Sequence, residues 1–381
     1  MKLELSAEEK QIKDMISEFA DEEIMPEAEE IDKTDEVPTD LIEELGELGI
    51  LGIPFEEDYG GIGMSYHPYV MAVEEVSRAS GGLGTIVSAH ISLAGGFLDM
   101  HADDEQKDEY LTPLALGEDI GAFAFTEADA GSDLPSMETT AEKEGDEYVI
   151  NGSKMWISNG AIADTAIVAA KTDPEAGAKG ITAFIVRPEE DDGFIVEGTE
   201  DKIGDKGCPT AELRFDNMRI PESRMIGEQE GYGLIQGLQV LNAGRIGIAA
   251  RSVGIAQAAL DEATEYAQQR EQFGQPIGQF QAIQHKLADM QMKVDAARWL
   301  THYAADKKRR GDDYRMEAAE AKAFASEVST FCADENIQIH GGFGYSKEYR
   351  AEQLWRDARI NRIYEGTNEV IRNTIGEAVQ E

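Results

Sequence analysis

Four short segments of this 381-residue chain gather the residue types that chemistry uses. Phe123-Ala-Phe-Thr-Glu-Ala-Asp-Ala-Gly-Ser-Asp133 runs from an apolar stretch into hydroxyls and carboxylates. Lys154-Met-Trp-Ile-Ser-Asn-Gly160 sets an aromatic ring beside a hydroxyl and an amide. Arg270-Glu-Gln-Phe-Gly274, followed by Gln281, offers a guanidinium. Ile363-Tyr-Glu-Gly-Thr-Asn-Glu-Val370 carries two carboxylates, Glu365 and Glu369. Such groups can take a proton, hydrogen-bond a ligand or hold an anion. Each segment also has an ordinary reading: a strand entering a turn, a strand with one aromatic residue, a helix end, and a loop before a last helix. Glu365 taken alone is one of 76 acidic residues.

Several other chemistries lack their patterns. No Gly-x-Gly-x-x-Gly lies between a strand and a helix, so a Rossmann nicotinamide site is not indicated. Gly60-Gly61-Ile62-Gly63 and Gly81-Gly82-Leu83-Gly84 read as turns, and no phosphate loop ending in Gly-Lys-Ser/Thr occurs. The six histidines do not group at metal-ligand spacing. Cys208 and Cys332 are far apart in sequence and read as reduced packing residues.

The elements that must position these segments follow from periodicity. Ser6-Ala-Glu-Glu9 fits a capping box ahead of Ile12, Ile16 and Phe19 at helical spacing. Thr39 is expected to cap a second helix ending near Gly49, and a third is expected from Pro68 towards Gly81. From about residue 120 the pattern turns to short β runs. Asn151-Gly152, between two of them, predicts a hairpin turn. Further strands are expected at Ala166–Ala170, Ile181–Val186, Phe194–Glu197 and Glu212–Phe215. Helical periodicity returns over about 231–269, 279–309, 315–339, 347–360 and 368–378. The expected fold is α+β and multidomain: an N-terminal helical domain (1–118), a middle β-barrel-like domain (119–228) and a C-terminal four-helix bundle (229–381).

Composition narrows the partners. Lys and Arg number 34 against 76 Asp and Glu, a net charge of -42. Such a surface repels phosphate backbones and anionic lipid, which argues against nucleic-acid and membrane partners. Hydrophobic residues, at 41%, suffice for a core. The acidic runs are dispersed, as on a solvated surface. A sharper reading is adaptation to a salty cytoplasm, since at about 1 M salt the Debye length falls to roughly 3 Å and self-repulsion is screened. The first residues, Met1–Leu5, lack a signal-peptide pattern. Arg251 interrupts the best apolar stretch, around 246–260, so no membrane span is expected and the protein reads as soluble and cytoplasmic.

Together and in this order the four segments resemble the acyl-CoA dehydrogenase family. Gln338-Ile-His-Gly-Gly-Phe-Gly344 and Leu241-Asn-Ala-Gly-Arg-Ile-Gly-Ile248 extend the resemblance over nearly the whole chain. The intervals between Arg270, Gln281, Gln338 and Glu365 look like those of the short-chain, butyryl-CoA dehydrogenase-like members. The resemblance implies FAD as cofactor. Phe123, Phe125, Thr126, Gly131 and Ser132 would run along the flavin, with Ser132 also near the CoA chain. Trp156 and Ile157 would lie against the ring and Ser158 near N5, where the family often has Thr. Arg270, Phe273 and Gln281 would reach the FAD of a neighbouring subunit, Arg270 matching pyrophosphate with charge and fixed donors. Gln338, Gly341 and Gly342 would approach its adenosine side, and Thr367 and Glu369 would complete the contacts. A homotetramer, as a dimer of dimers, is the implied assembly.

The implied reaction is α,β-dehydrogenation of an acyl-CoA. Glu365 would abstract the α-proton while the β-hydrogen leaves as hydride to flavin N5. The Glu365 N–H would help stabilise the enolate, and burial would raise its carboxyl pKa. Some family members, of the isovaleryl type, take their base from a helix just before an Arg; here that place is Gly244, followed by Arg245, and glycine cannot remove a proton. Asn242, Arg245 and Gly366 would contact substrate, although Asn242 departs from the Asp common in short-chain enzymes. Electrons would pass to an electron-transfer flavoprotein. The competing readings are an acyl-CoA oxidase, which would release peroxide, and a non-catalytic flavoprotein or scaffold of the same fold.

Overall fold

The computed structural model describes residues 5–380. The chain begins with helices α1 (Ala7–Phe19), α2 (Met25–Thr34), α3 (Thr39–Glu47), α4 (Tyr66–Ala79), α5 (Gly81–Ser88), α6 (Gly96–His101) and the short α7 (Asp104–Gln106) and α8 (Thr112–Leu116). Ser6 and Glu9 close the capping box in both directions, at 3.1 and 2.8 Å. Three expectations need correction here. Pro38, not Thr39, is the cap of α3, because Thr39 already has helical geometry and no side chain caps it. Helix α4 begins two residues before Pro68. The Gly81–Gly84 cluster is helical rather than a turn. Its glycines admit neighbours: a Cβ on Gly82 would sit 2.0 Å from the Lys206 carbonyl oxygen, and one on Gly84 2.1 Å from Ser77 Oγ.

A π-helical stretch, Ala89–Gly95, joins α5 to α6. The resulting run Gly81–His101 is, contrary to the sequence expectation, long and apolar enough to span a membrane by length and composition. Its apolar window is 94% buried inside the fold, as befits a core helix.

The middle strands are β1 (Gly121–Ala124), β2 (Thr140–Glu144), β3 (Glu147–Ser158), β4 (Thr165–Lys171), β5 (Ile181–Val186), β6 (Phe194–Thr199) and β7 (Thr210–Pro221). They form one seven-stranded sheet in the order β1-β4-β2-β3-β7-β6, with β5 added on β4. Asn151-Gly152 is not a hairpin turn. Strand β3 runs straight through it, and the β2–β3 turn falls at Gly145-Asp146, beyond the Glu144↔Glu147 pair. Gly152 instead makes a bulge against β7, with φ +146° and so close to Thr139 that a Cβ would lie 2.5 Å from Thr139 Oγ1.

The tiny hairpin β8 (Glu271–Gln272) and β9 (Gln275–Pro276) separates the long helices α9 (Gly233–Gln269) and α10 (Gln281–Arg309). These are followed by α11 (Arg315–His340), α12 (Ala351–Ile360) and α13 (Asn368–Ala378). Helix α9 is the centre of the bundle and packs on α11, α10 and α12, and also on α4 of the N-terminal region. Where the three regions meet, the fully buried Arg251 of α9 donates to the Gly81 carbonyl (3.1 Å) and contacts Asp205, from the β6–β7 loop, and Asn361. Asp205 in turn accepts from Thr85 (2.9 Å), and its N–H donates to Asp357 Oδ1 (2.6 Å). A buried guanidinium is tolerable only with such partners, and this network seats the β6–β7 loop on both helical regions.

Candidate active site

Glu365 lies in the turn between α12 and α13 with φ +51°, a left-handed backbone unusual for a side-chain-bearing residue, and Gly366 follows at φ +97°. Several bonds hold this turn. Lys322 Nζ, buried on α11, donates to the Gly366 carbonyl (2.5 Å) and to Asn368 Oδ1 (3.2 Å). The Tyr364 hydroxyl donates to Asn361 (3.1 Å), and Thr367 caps α13 by accepting from the Val370 N–H (3.3 Å).

The carboxylate points inward. Oε2 of Glu365 is buried and has no hydrogen-bond partner among the described residues. Burial pushes the carboxyl up to about 7, while Lys322 and Arg245 pull it back. Burial likewise lowers Lys322 to about 7, opposed by Glu365.

Gly244 of α9 lies directly beneath this carboxylate. A Cβ there would be 2.2 Å from Glu365 Oε2 and 2.8 Å from Leu93 Cδ2. The two base positions weighed from sequence therefore occupy one space, and Glu365 fits because residue 244 has no side chain. Next to it, Arg245 is buried and donates from Nη1 to Asn242 Oδ1 (2.7 Å), while its Nε has no partner among the described residues. Gly366 adjoins Arg245, a Cβ on the glycine being 3.9 Å from Nη2.

A second group surrounds Trp156. The register shift between Lys154 and Ile157 places Trp156 at φ +63° and leaves it 52% exposed. Ile157 buries its side chain in the sheet core. Ser158, partly exposed, pairs with Thr210. The rings of Phe123 and Phe125 stack at 4.1 Å, and the Thr126 carbonyl accepts from the Met155 N–H (2.9 Å). Gly131 and Ser132 are exposed in the loop beyond. Within this loop Glu127 forms a buried ion pair with Lys154 (2.8 Å) and accepts from the Glu138 and Thr139 N–H groups. Burial lowers Lys154 to about 8.

A third group is exposed at the end of the bundle. Phe273 stands at the tip of the β8–β9 hairpin with φ +54° and is 94% exposed. Arg270 lies 5.4 Å from the Phe343 ring, Gln281 opens α10, and Gln338 is exposed near the end of α11. A Cβ on Gly341 or Gly342 would meet nothing within 4 Å, so packing within the chain gives no reason for either glycine, although Gly341 also has a positive φ. Glu369 is exposed in the first turn of α13.

Sequence reasoning missed the charged supports. Glu127 and Lys154 lie inside the segments singled out, but nothing in their spacing announced the pair. Lys322 sits in an unremarkable helical stretch, 43 residues before Glu365 by numbering. A lysine on the buried stripe of α11 was the one available signal. Among the described residues no group of His, Cys, Asp or Glu could hold a metal.

Comparison with known proteins places the chain as a whole. Models of the acyl-CoA dehydrogenase N-terminal, middle and C-terminal domains match residues 6–118, 122–218 and 230–380. The short-chain specific acyl-CoA dehydrogenase of Clostridium acetobutylicum is 43% identical over 370 residues, 97% of each chain. The butyryl-CoA dehydrogenase structure from Megasphaera elsdenii superposes with a TM-score of 0.98 at 41% identity, covering 100% of both chains. A chain from the structure of the electron transferring flavoprotein of Acidaminococcus fermentans also gives 0.98, at 43% identity over 100% of this chain and 99% of that one. The helix–sheet–bundle order, the three domain matches and the identity over nearly the full length agree, and the chain belongs to the acyl-CoA dehydrogenase family.

Proposed function

We propose that this enzyme carries out α,β-dehydrogenation of short acyl-CoA thioesters with Glu365 as the base. The observation that carries the reading is the buried, unpartnered Glu365 Oε2 held over Gly244. A lone pair without a donor is free to take a proton, and a carboxyl titrating at about 7 is basic enough to do so near neutral pH. Burial then favours the neutral acid that results. The Glu365 N–H makes no backbone hydrogen bond among the described residues, which leaves it available to a thioester oxygen on which negative charge develops. Arg245, with its unpartnered Nε, is placed to orient the thioester or the CoA chain beside it.

FAD fits the remaining donors. Trp156 offers an exposed ring face, Ser158 a hydroxyl, and the partly exposed Thr126 with the exposed Gly131 and Ser132 offers polar groups and open backbone for the flavin end. Arg270, Gln281, Gln338, Gly341 and Gly342 offer a cation, amides and open backbone for a pyrophosphate and adenosine. Bound FAD supplies the two-electron acceptor that carbon–carbon desaturation needs. The exposed Phe273 and the open backbone at Gly342 suit a site completed by a neighbouring subunit in a homotetramer. The likeness to a chain from the electron-transferring flavoprotein structure supports such a protein as electron acceptor. Anaerobic titration of the FAD-loaded enzyme with acyl-CoAs of increasing length tests the reading: flavin absorbance bleaches with butyryl-sized substrates, and bleaching with none of them would refute it.

A further inference from the structure

We infer that Lys322 is a positioning residue for Glu365, clamping the turn that carries the base and holding its carboxylate in the ionised, proton-accepting form. The inference rests on the reading of Glu365 as the base. Its geometry is independent of that reading. Two consecutive residues, Glu365 and Gly366, have positive φ, and the carbonyl between them and Thr367 is turned onto α11. There Lys322 Nζ meets it at 2.5 Å and Asn368 Oδ1 at 3.2 Å. Asn368 is itself fixed on α11, donating to Ser326 Oγ (3.0 Å) and to the Ala323 carbonyl (3.5 Å). Lys322 is fully buried and makes no salt bridge among the described residues, so its charge acts on what surrounds it.

Glu365 is the foremost anion that lysine feels, with Glu369 next; Arg245 and Arg362 oppose it. Around Glu365 stand Lys322 from α11, Arg245 from α9, Tyr66 and Tyr69 from α4, and Tyr364 of its own turn. The tyrosines are neutral near pH 7, which leaves Arg245 and the protonated form of Lys322, itself favoured by the Glu365 carboxylate, to favour ionisation. Removing one of them disfavours ionisation, and the pH at which the base becomes competent rises.

The test is the pH dependence of flavin reduction by butyryl-CoA in FAD-loaded wild type, Lys322→Met and Lys322→Arg. In Lys322→Met the limb that rises with pH moves up by about one unit or more, and the rate at pH 7 falls roughly tenfold with little change in KM. A lysine that only supported the fold would lower the rate equally at every pH and leave the limb in place, which would overturn the inference. Should Lys322→Met not retain FAD, Lys322→Arg decides. Its permanent charge keeps the limb at or below the wild-type position, and an upward shift would overturn the inference. Glu365→Gln, run alongside, separates the two levels. If it still bleaches, the base assignment fails; if it is inert while the lysine variants keep the wild-type limb, only the role of Lys322 fails.

Discussion

Replacing Gly244 with alanine drives a methyl carbon into the carboxylate of Glu365, the proposed base. The added Cβ would lie 2.2 Å from Glu365 Oε2, 3.0 Å from its Cδ and 2.8 Å from Leu93 Cδ2, whereas ordinary contact begins at 3.4 Å. Leu93 lies against α9 from the π-helical stretch and is buried, so it has little room to yield. The carboxylate must therefore withdraw by about 1 Å, and a misplacement of that size costs on the order of 100-fold in rate. Overpacking itself costs about 1–3 kcal/mol of stability, which a domain assembly of this size survives. Stopped-flow reduction of the flavin by butyryl-CoA, with FAD content and melting temperature measured on the same sample, reads both effects. We expect Gly244→Ala to retain FAD and reduce it about 100-fold more slowly. A variant that keeps the wild-type reduction rate would show that the Glu365 carboxylate does not need the space above residue 244.

Three other predictions follow from charge. Lys154→Met strands the Glu127 carboxylate without its buried cation, at a cost of about 3–5 kcal/mol; the urea midpoint drops and FAD retention weakens, and an unchanged midpoint would count against the pair's role. Glu365 titrates at about 7 in the fold but near 4.3 in an unfolded chain, so its stabilising contribution is complete below about 4.3 and lost as pH rises through about 7. Glu365→Gln should accordingly raise the melting temperature over wild type at pH 8, by more than it does near pH 5, and equal differences at the two pH values would contradict this. With a net charge of -42, the melting temperature should climb steeply from low to molar KCl, and a flat response would dispose of the salt-adaptation reading.

What was legible in the sequence was what periodicity and local chemistry encode. The bundle helices keep a helical period bounded by clear breaks, so the sequence reads their spans to within a few residues: Gly233–Gln269 and Asn368–Ala378 against expected spans of 231–269 and 368–378. Glycine was read less well because one residue serves two purposes. At Gly60 it supplies a positive φ, as a turn requires, but at Gly82 and Gly84 it admits neighbouring atoms within a helix, and at Gly152 it makes a bulge where a hairpin turn was expected. The site was half legible. Glu365 and Gly244 stood out as candidate positions for a base, yet that they share one space is a fact of tertiary packing. Lys322, Glu127 and Lys154 act through burial and distance, neither of which a linear pattern records.

If Glu365 is the base, one substitution removes the chemistry while leaving the site in place. In Glu365→Gln the side chain keeps its size but loses its basicity. Anaerobic mixing of the FAD-loaded variant with butyryl-CoA should then show substrate bound and the flavin absorbance unbleached. Reduction at a rate near that of wild type would contradict that role for Glu365.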